Sequence, residues 1–198
     1  MHLQLQTGAK FSTDDIPYDF LPHIKLKVNI YHSATAEFFS PSDPPEARSK
    51  YREIIRCTGS RTWRNKNSRY DTVFVETDPE QPGMQGMHVA RVFLFFNFVL
   101  ESISYPCALI HWFEKVDDMP DEDTGMWIVE PEFLDNGDPH LSVIHIDSLV
   151  RAAHLIPVFG DSTMVPEFHE LNSLETLDNF IQFYVNKFVD YHAHEIAQ

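Results

Sequence analysis

Two apolar runs of comparable length, separated by a few residues, constrain this chain more than any other feature. Met87 to Phe98 carries Val89-Ala90-Arg91-Val92-Phe93-Leu94-Phe95-Phe96, and Tyr105 to Phe113 carries Cys107-Ala108-Leu109-Ile110-His111-Trp112. Each is too short to span a bilayer and is interrupted by polar residues such as Arg91 and Asn97, so both read as strands. A tight reversal near Glu101-Ser102 makes them an antiparallel hairpin. Their nearly unbroken apolarity, without the in–out alternation of a half-wet sheet, predicts that both faces are covered.

Other strands stand around this hairpin. Ile24 to Ile30 alternates strictly and continues through Thr35-Ala36-Glu37-Phe38, a half-buried pattern. Tyr70 to Glu76, Met126 to Val129, Leu141 to Ile146 and Ala152 to Phe159 read as further strands, with turns such as Asp78-Pro79-Glu80-Gln81-Pro82-Gly83 between them. Two helices are expected. One is short, over 46–57, started by Ser42-Asp43-Pro44-Pro45 and carrying Tyr51, Ile54 and Ile55. The other runs over 174–198, where Leu177, Phe180, Ile181, Tyr184, Val185 and Phe188 recur at helical spacing. The expected fold is mainly β: about six or seven antiparallel strands, barrel-like, with a short helix near 46–57 and a C-terminal helix. Along the chain this gives an irregular lead-in over 1–22, a β-rich domain over 23–160, a loop over 161–173 and the helix over 174–198.

Charge divides the chain. Thirty acids face 15 Lys and Arg, a net charge of −15. Yet Arg48, Lys50, Arg52, Arg56, Arg61, Arg64, Lys66 and Arg69 fall within residues 48–69, where only Glu53 opposes them. Eight cations less one anion give that segment +7, and the remainder carries −22. An acidic body excludes wrapping or coating of DNA, because phosphate binding needs a positive surface. It leaves room for one local contact through Arg56, Arg61, Trp63, Arg64, Lys66 and Arg69, with Arg and Lys on phosphates and Trp63 stacked on a base. The plain alternative is a solvated loop whose Trp63 covers the core edge. Residues 114–138 hold ten acids against Lys115. They lack the glycine and distal glutamate of a calcium loop and read as a solvated stretch.

Candidate catalytic groups resolve into ordinary roles. His192 and His194, two apart on a helix, point about 200° from each other and cannot share a metal there. Cys107 and His111 face one side of a strand about 13 Å apart, beyond proton transfer. Asp71 and Asp147 flank strands without a third carboxylate to make a two-metal site. Two cysteines, Cys57 and Cys107, allow at most one disulfide, and reduced intracellular thiols are expected. No signal peptide is legible at the N-terminus. No metal, cofactor or membrane partner is expected. Trp112 and Trp127 offer a cationic cage or, more simply, core packing.

Five stretches together resemble one family. They are Val28-Asn29-Ile30-Tyr31-His32-Ser33-Ala34 with Phe38-Phe39-Ser40-Pro41-Ser42-Asp43, then Tyr105-Pro106-Cys107-Ala108-Leu109-Ile110-His111-Trp112-Phe113, Asp123 to Pro131, Val143 to Gly160, and Tyr184 to Ile196. In order and spacing, from about residue 24 to the end, they are similar to the C-terminal region of the fungal Plavaka-type transposases. These are cut-and-paste DNA transposon proteins related to the CACTA and KDZ groups. The resemblance implies an RNase H-like catalytic core, often with a zinc-finger-like segment, upstream of the matched region. A chain starting at Met1 is expected to hold neither, so no catalytic residue carries over. The resemblance therefore implies a non-enzymatic, intracellular, nuclear accessory module. It would contact DNA or chromatin, or dock on a transposase core or histone tail through Trp112, Trp127, Leu177, Phe180 and Tyr184. A small metal-dependent hydrolase is the remaining alternative.

Overall fold

The computed structural model describes residues 27–39, 50–57, 69–160 and 176–198. The chain is mainly β. Its centre is the expected hairpin: β5 (Met87–Leu100) and β6 (Ile103–Lys115) pair from Val89↔Phe113 to Leu100↔Ile103. The two linking residues, Glu101 and Ser102, both have positive φ (51° and 67°). Two-residue hairpins favour that sense of turn because it matches the strand twist, even where no glycine supplies it. A register shift between Val92 and Leu94 releases Phe93 from the ladder.

The hairpin divides its outer edges between shorter strands. β5 pairs with β4 (Thr72–Glu76) near one end and with β1 (Asn29–Tyr31) near the other. β6 pairs with β7 (Ile128–Pro131) and β8 (Leu141–His145) in the same way. β4 continues to β9 (Leu149–Ala153), and β7 to β11 (Phe183–Val185), which pairs with β10 (Leu155–Pro157). The resulting order is β10-β11-β7-β6-β5-β4-β9, a seven-strand antiparallel path nearly closed into a barrel. Its two end strands, β9 and β10, follow each other in the chain with only His154 between them. β2 (Ser33–Phe39) and β3 (Lys50–Arg56) form a separate antiparallel ribbon that lies against β9.

Both faces of β4 and of the middle of β5 and β6 are buried, as the apolar runs require. Phe74, Val89, Phe113 and Val129 contribute to one cluster, together with Trp127, Phe180, Phe183 and Ile196. Val73, Val75, Ala90, Val92 and Ile110 contribute to the other, where Ile55 and Cys57 from the ribbon side join them. Neighbours in sequence thus serve opposite cores, the period-2 rule applied to central strands that are covered on both sides.

Two expected helices are corrected. Over 46–57 the described residues form strand β3, whose register on β2 runs from Ser33↔Arg56 to Phe39↔Lys50. Its β-branched and aromatic residues suit a strand, with Ile55 buried and Ile54 exposed, and the pairing with β2 is what decides against a helix. The C-terminal helix over 174–198 is instead α1 (Thr176–Asn179), β11 and α2 (Tyr191–Ile196). Phe183 and Val185 alternate inward and fill the gap between β7 and β10, and the backbone pairing gained there outweighs helical propensity. Ile181 and Phe188, assigned to the apolar stripe, are exposed. The first expected strand is broken at His32 into β1 and β2, and β1 is exposed throughout. The lead-in over 1–22 and the loop over 161–173 lie outside the described residues.

Candidate functional site

Two arginines occur inside apolar strands, and both are buried: Arg91 on β5 (8% exposed) and Arg151 on β9 (4%). Register sets Arg91 opposite Thr72 and Thr72 opposite Ala153, with Arg151 two residues away from Ala153 on the same face. They therefore form a polar end to the first core cluster. A buried guanidinium needs carboxylate partners. Arg91 forks onto Asp178 of α1, with the longer bond at 3.2 Å, and lies over Tyr70 and Phe93 at 5.3 and 5.6 Å from the ring centres. Arg151 forks onto Asp190 at 2.7 and 2.8 Å and reaches Glu53 of the ribbon at 3.4 Å. Glu53 also accepts from the Ala152 backbone N–H. The two ion pairs clamp the C-terminal segments onto the barrel.

Electrostatics follow from these contacts. Burial works against the Arg151 charge, but the Asp190 hydrogen bond and the Glu53 charge outweigh it and raise its pKa. The Arg151 hydrogen bond holds the Asp190 carboxyl below its ordinary range. Burial, then the Arg151 charge, lowers the pKa of His192. Among the described residues neither Arg91 Nε nor Arg151 Nε has a hydrogen-bond partner.

A cleft of about 540 Å³ opens beside the arginines, lined also by Glu53, Arg69, Tyr70, Asp71, Thr72 and His154. Its rim is a pinned stem. Arg56 N–H donates to Asp71 Oδ2 and Asp71 N–H to Arg56 O, both at 2.8 Å, and Arg69 pairs with the other oxygen of Asp71. Arg56, through its backbone N–H, and Arg69, through its guanidinium, thus meet at one carboxylate, while the Arg56 guanidinium donates to Ile54 O. Arg61, Trp63, Arg64 and Lys66 lie outside the described residues. The Thr72 hydroxyl is committed to Ala153 O at 2.8 Å. The arrangement suits charge pairing and gives no nucleophile–base pair among these described residues.

The other singled-out residues are dispersed. Trp127 and Phe180 are buried in the first cluster, with Leu177 packed against it, whereas Trp112 packs on the second and donates to Ser142 Oγ at 2.9 Å. The two tryptophans therefore share no cage. Tyr184 is half-buried within β11. His192 is buried and His194 exposed, as two residues apart on a helix requires. Cys107 and His111 are buried on β6, with His111 Nε2 2.8 Å from Glu132 O. Among the described residues no group of three or more His, Cys, Asp or Glu is placed to hold a metal, and no helix is long and apolar enough to cross a membrane. Sequence reasoning passed over Arg91 and Arg151. The signal was present: a lone arginine inside a strand of Val, Leu, Ala and Phe needs a buried anionic partner.

No family model, curated protein or solved structure matches the chain.

Proposed function

We propose that this chain is a non-catalytic accessory module, of the kind implied by its resemblance to Plavaka-type transposase C-termini, that contacts DNA through the basic segment 48–69, whose residue Arg69 lines the arginine-lined cleft. The observation that supports this reading is the stem at Asp71, where Arg56 and Arg69 converge from the two sides of the segment. Arg56 and Arg69, which flank the most basic part of the sequence, are thus held at one place on an otherwise acidic chain. Contact is then local and backbone-directed, and the acidic remainder repels DNA from other orientations.

Fluorescence anisotropy with short duplexes at several salt concentrations tests this. Replacing Arg61, Arg64, Lys66 and Arg69 together by Ala should abolish most of the affinity. It should also flatten the salt dependence by about 0.9 per lost phosphate contact in log–log slope. An unchanged, salt-sensitive affinity in that variant would move the site elsewhere, and no affinity in the parent chain would remove the DNA reading.

A further inference from the structure

The β2–β3 ribbon has two unlike faces. Alternation along its strands turns Ala34, Ala36 and Ile55 inward onto the second core cluster, and Glu53 inward onto Arg151 and the Ala152 N–H. The residues between them face away. From β3 these include Lys50, Arg52 and Arg56, which register sets opposite Phe39, Glu37 and Ser33 of β2. Thr35 and Ile54 form the remaining outward pair. All of these are exposed except Arg56, which is half-buried.

This outer face is positive on an acidic chain. Its three cations meet one carboxylate, Glu37, so the face carries +2 where the whole chain carries −15. Glu37 pairs with Lys50, and Arg52 makes no ion pair among the described residues. The Arg56 guanidinium donates to Ile54 O at 3.3 Å and keeps its charge. Ile54 also lines the cleft beside Arg69, whose charge is balanced by Asp71.

Charge and shape together select the partner. A second copy is disfavoured, because twofold pairing sets one +2 surface against another. A DNA duplex supplies the opposite charge, and its major groove, about 12 Å wide, admits a two-stranded ribbon. Lys50 and Arg56 lie six residues apart, about 20 Å along the strand, so they reach phosphates at two places along the groove. Between them Arg52 and the Thr35 hydroxyl are placed for base edges, and Ile54 suits the methyl group of thymine.

We infer that the outer face of the β2–β3 ribbon lies in the major groove of duplex DNA, with Lys50 and Arg56 on phosphates and Arg52 and Thr35 toward the base edges. This rests on the DNA contact proposed above and adds to it a surface that can fail separately.

The test is fluorescence anisotropy of the full chain with three probes: a mixed-sequence DNA duplex, the RNA duplex of the same sequence, and an oligoglutamate of equal charge. The RNA duplex has a deep, narrow major groove that a ribbon cannot enter, so it should bind about tenfold more weakly than the DNA. Thr35→Glu sets a carboxylate in the middle of the face and should weaken DNA binding by about tenfold. Met119→Glu adds the same charge at a 74% exposed position of the acidic stretch and should change it by less than about twofold. Arg52→Ala should weaken binding by about fivefold or more. Thr35 and Arg52 are both exposed, so both variants should keep the parent's urea midpoint. Equal affinity for the RNA and DNA duplexes, or undiminished DNA binding in Thr35→Glu and Arg52→Ala, would overturn the ribbon face while DNA binding through Arg61, Arg64, Lys66 and Arg69 could still stand. Oligoglutamate bound as tightly as the DNA would overturn the duplex as partner. No affinity of the parent chain for either duplex would remove the DNA contact and this assignment with it.

Discussion

Replacing Arg151 by Met offers a sharp test of the clamp that joins ribbon, barrel and C-terminal helix. Arg151 is 4% exposed, and its guanidinium serves two carboxylates. Breaking a buried pair from one side costs about 3–5 kcal/mol, because the abandoned charge stays desolvated. Two features of this site reduce that figure. The Asp190 side chain is 45% exposed, so water can replace its partner, and that half of the loss approaches the ~1 kcal/mol of a surface pair. Met also removes the buried, unpartnered Arg151 Nε, which relieves about 1 kcal/mol of desolvation, and keeps apolar contact where the guanidinium lay 4.6 Å over Phe38. Glu53, only 24% exposed, retains the Ala152 N–H but loses its counter-charge. The net expectation is a loss of about 2–3 kcal/mol. With a urea slope of about 2 kcal/mol/M, the unfolding midpoint falls by about 1–1.5 M. A double-mutant cycle with Glu53→Gln should show coupling of about 1 kcal/mol or more. A midpoint within ~0.2 M of the parent, or zero coupling, would refute the clamp.

Two further outcomes follow from the same structure. Gly83 has φ +56°, and a Cβ there would lie 2.9 Å from Gln198 O and 3.3 Å from Ile196 O, so Gly83→Ala should cost about 2 kcal/mol in urea unfolding. Deleting Gln198 in that variant should recover part of the loss, and a neutral Gly83→Ala would contradict the packing of the last turn on Gly83–Gln85. His88, His111 and His192 all have pKa values lowered from 6.5, in each case first by burial. Below about pH 6.5 the unfolded chain takes up protons that the folded chain refuses, so stability falls as pH drops through that point toward the lowered folded values. A urea midpoint at pH 5.5 equal to or above that at pH 7.5 would sink this account.

The strands that read most clearly were those whose pattern had one explanation. Val89 to Phe98 and Cys107 to Phe113 are apolar on both sides because each face meets its own cluster, and neither a helix nor a wet strand fits. The misread segments had patterns that two structures share. Tyr51, Ile54 and Ile55 sit at spacings a helix tolerates, and only pairing with Ser33–Phe39, distant in sequence, decides for a strand. Leu177, Phe180 and Tyr184 form a helical stripe on paper, but Phe183 and Val185 complete a sheet whose need for a strand there lies in β7 and β10. At the site the basic residues were legible as composition. The carboxylates that organise them were not, because Asp178 and Asp190 approach Arg91 and Arg151 from 87 and 39 residues away.

The place of β11 has a consequence for synthesis. It is an interior strand, hydrogen-bonded on both sides, yet among the described strands it is the last to leave the ribosome. Until Phe183–Val185 emerges, β7 presents an open edge and β10 has no strand partner, which leaves Val129 and Leu155 beside unpaired backbone. A nascent chain of this protein therefore passes through an interval in which its sheet is almost complete but chemically adhesive. Stalling or truncation within that interval should give aggregates rather than a slightly smaller soluble domain.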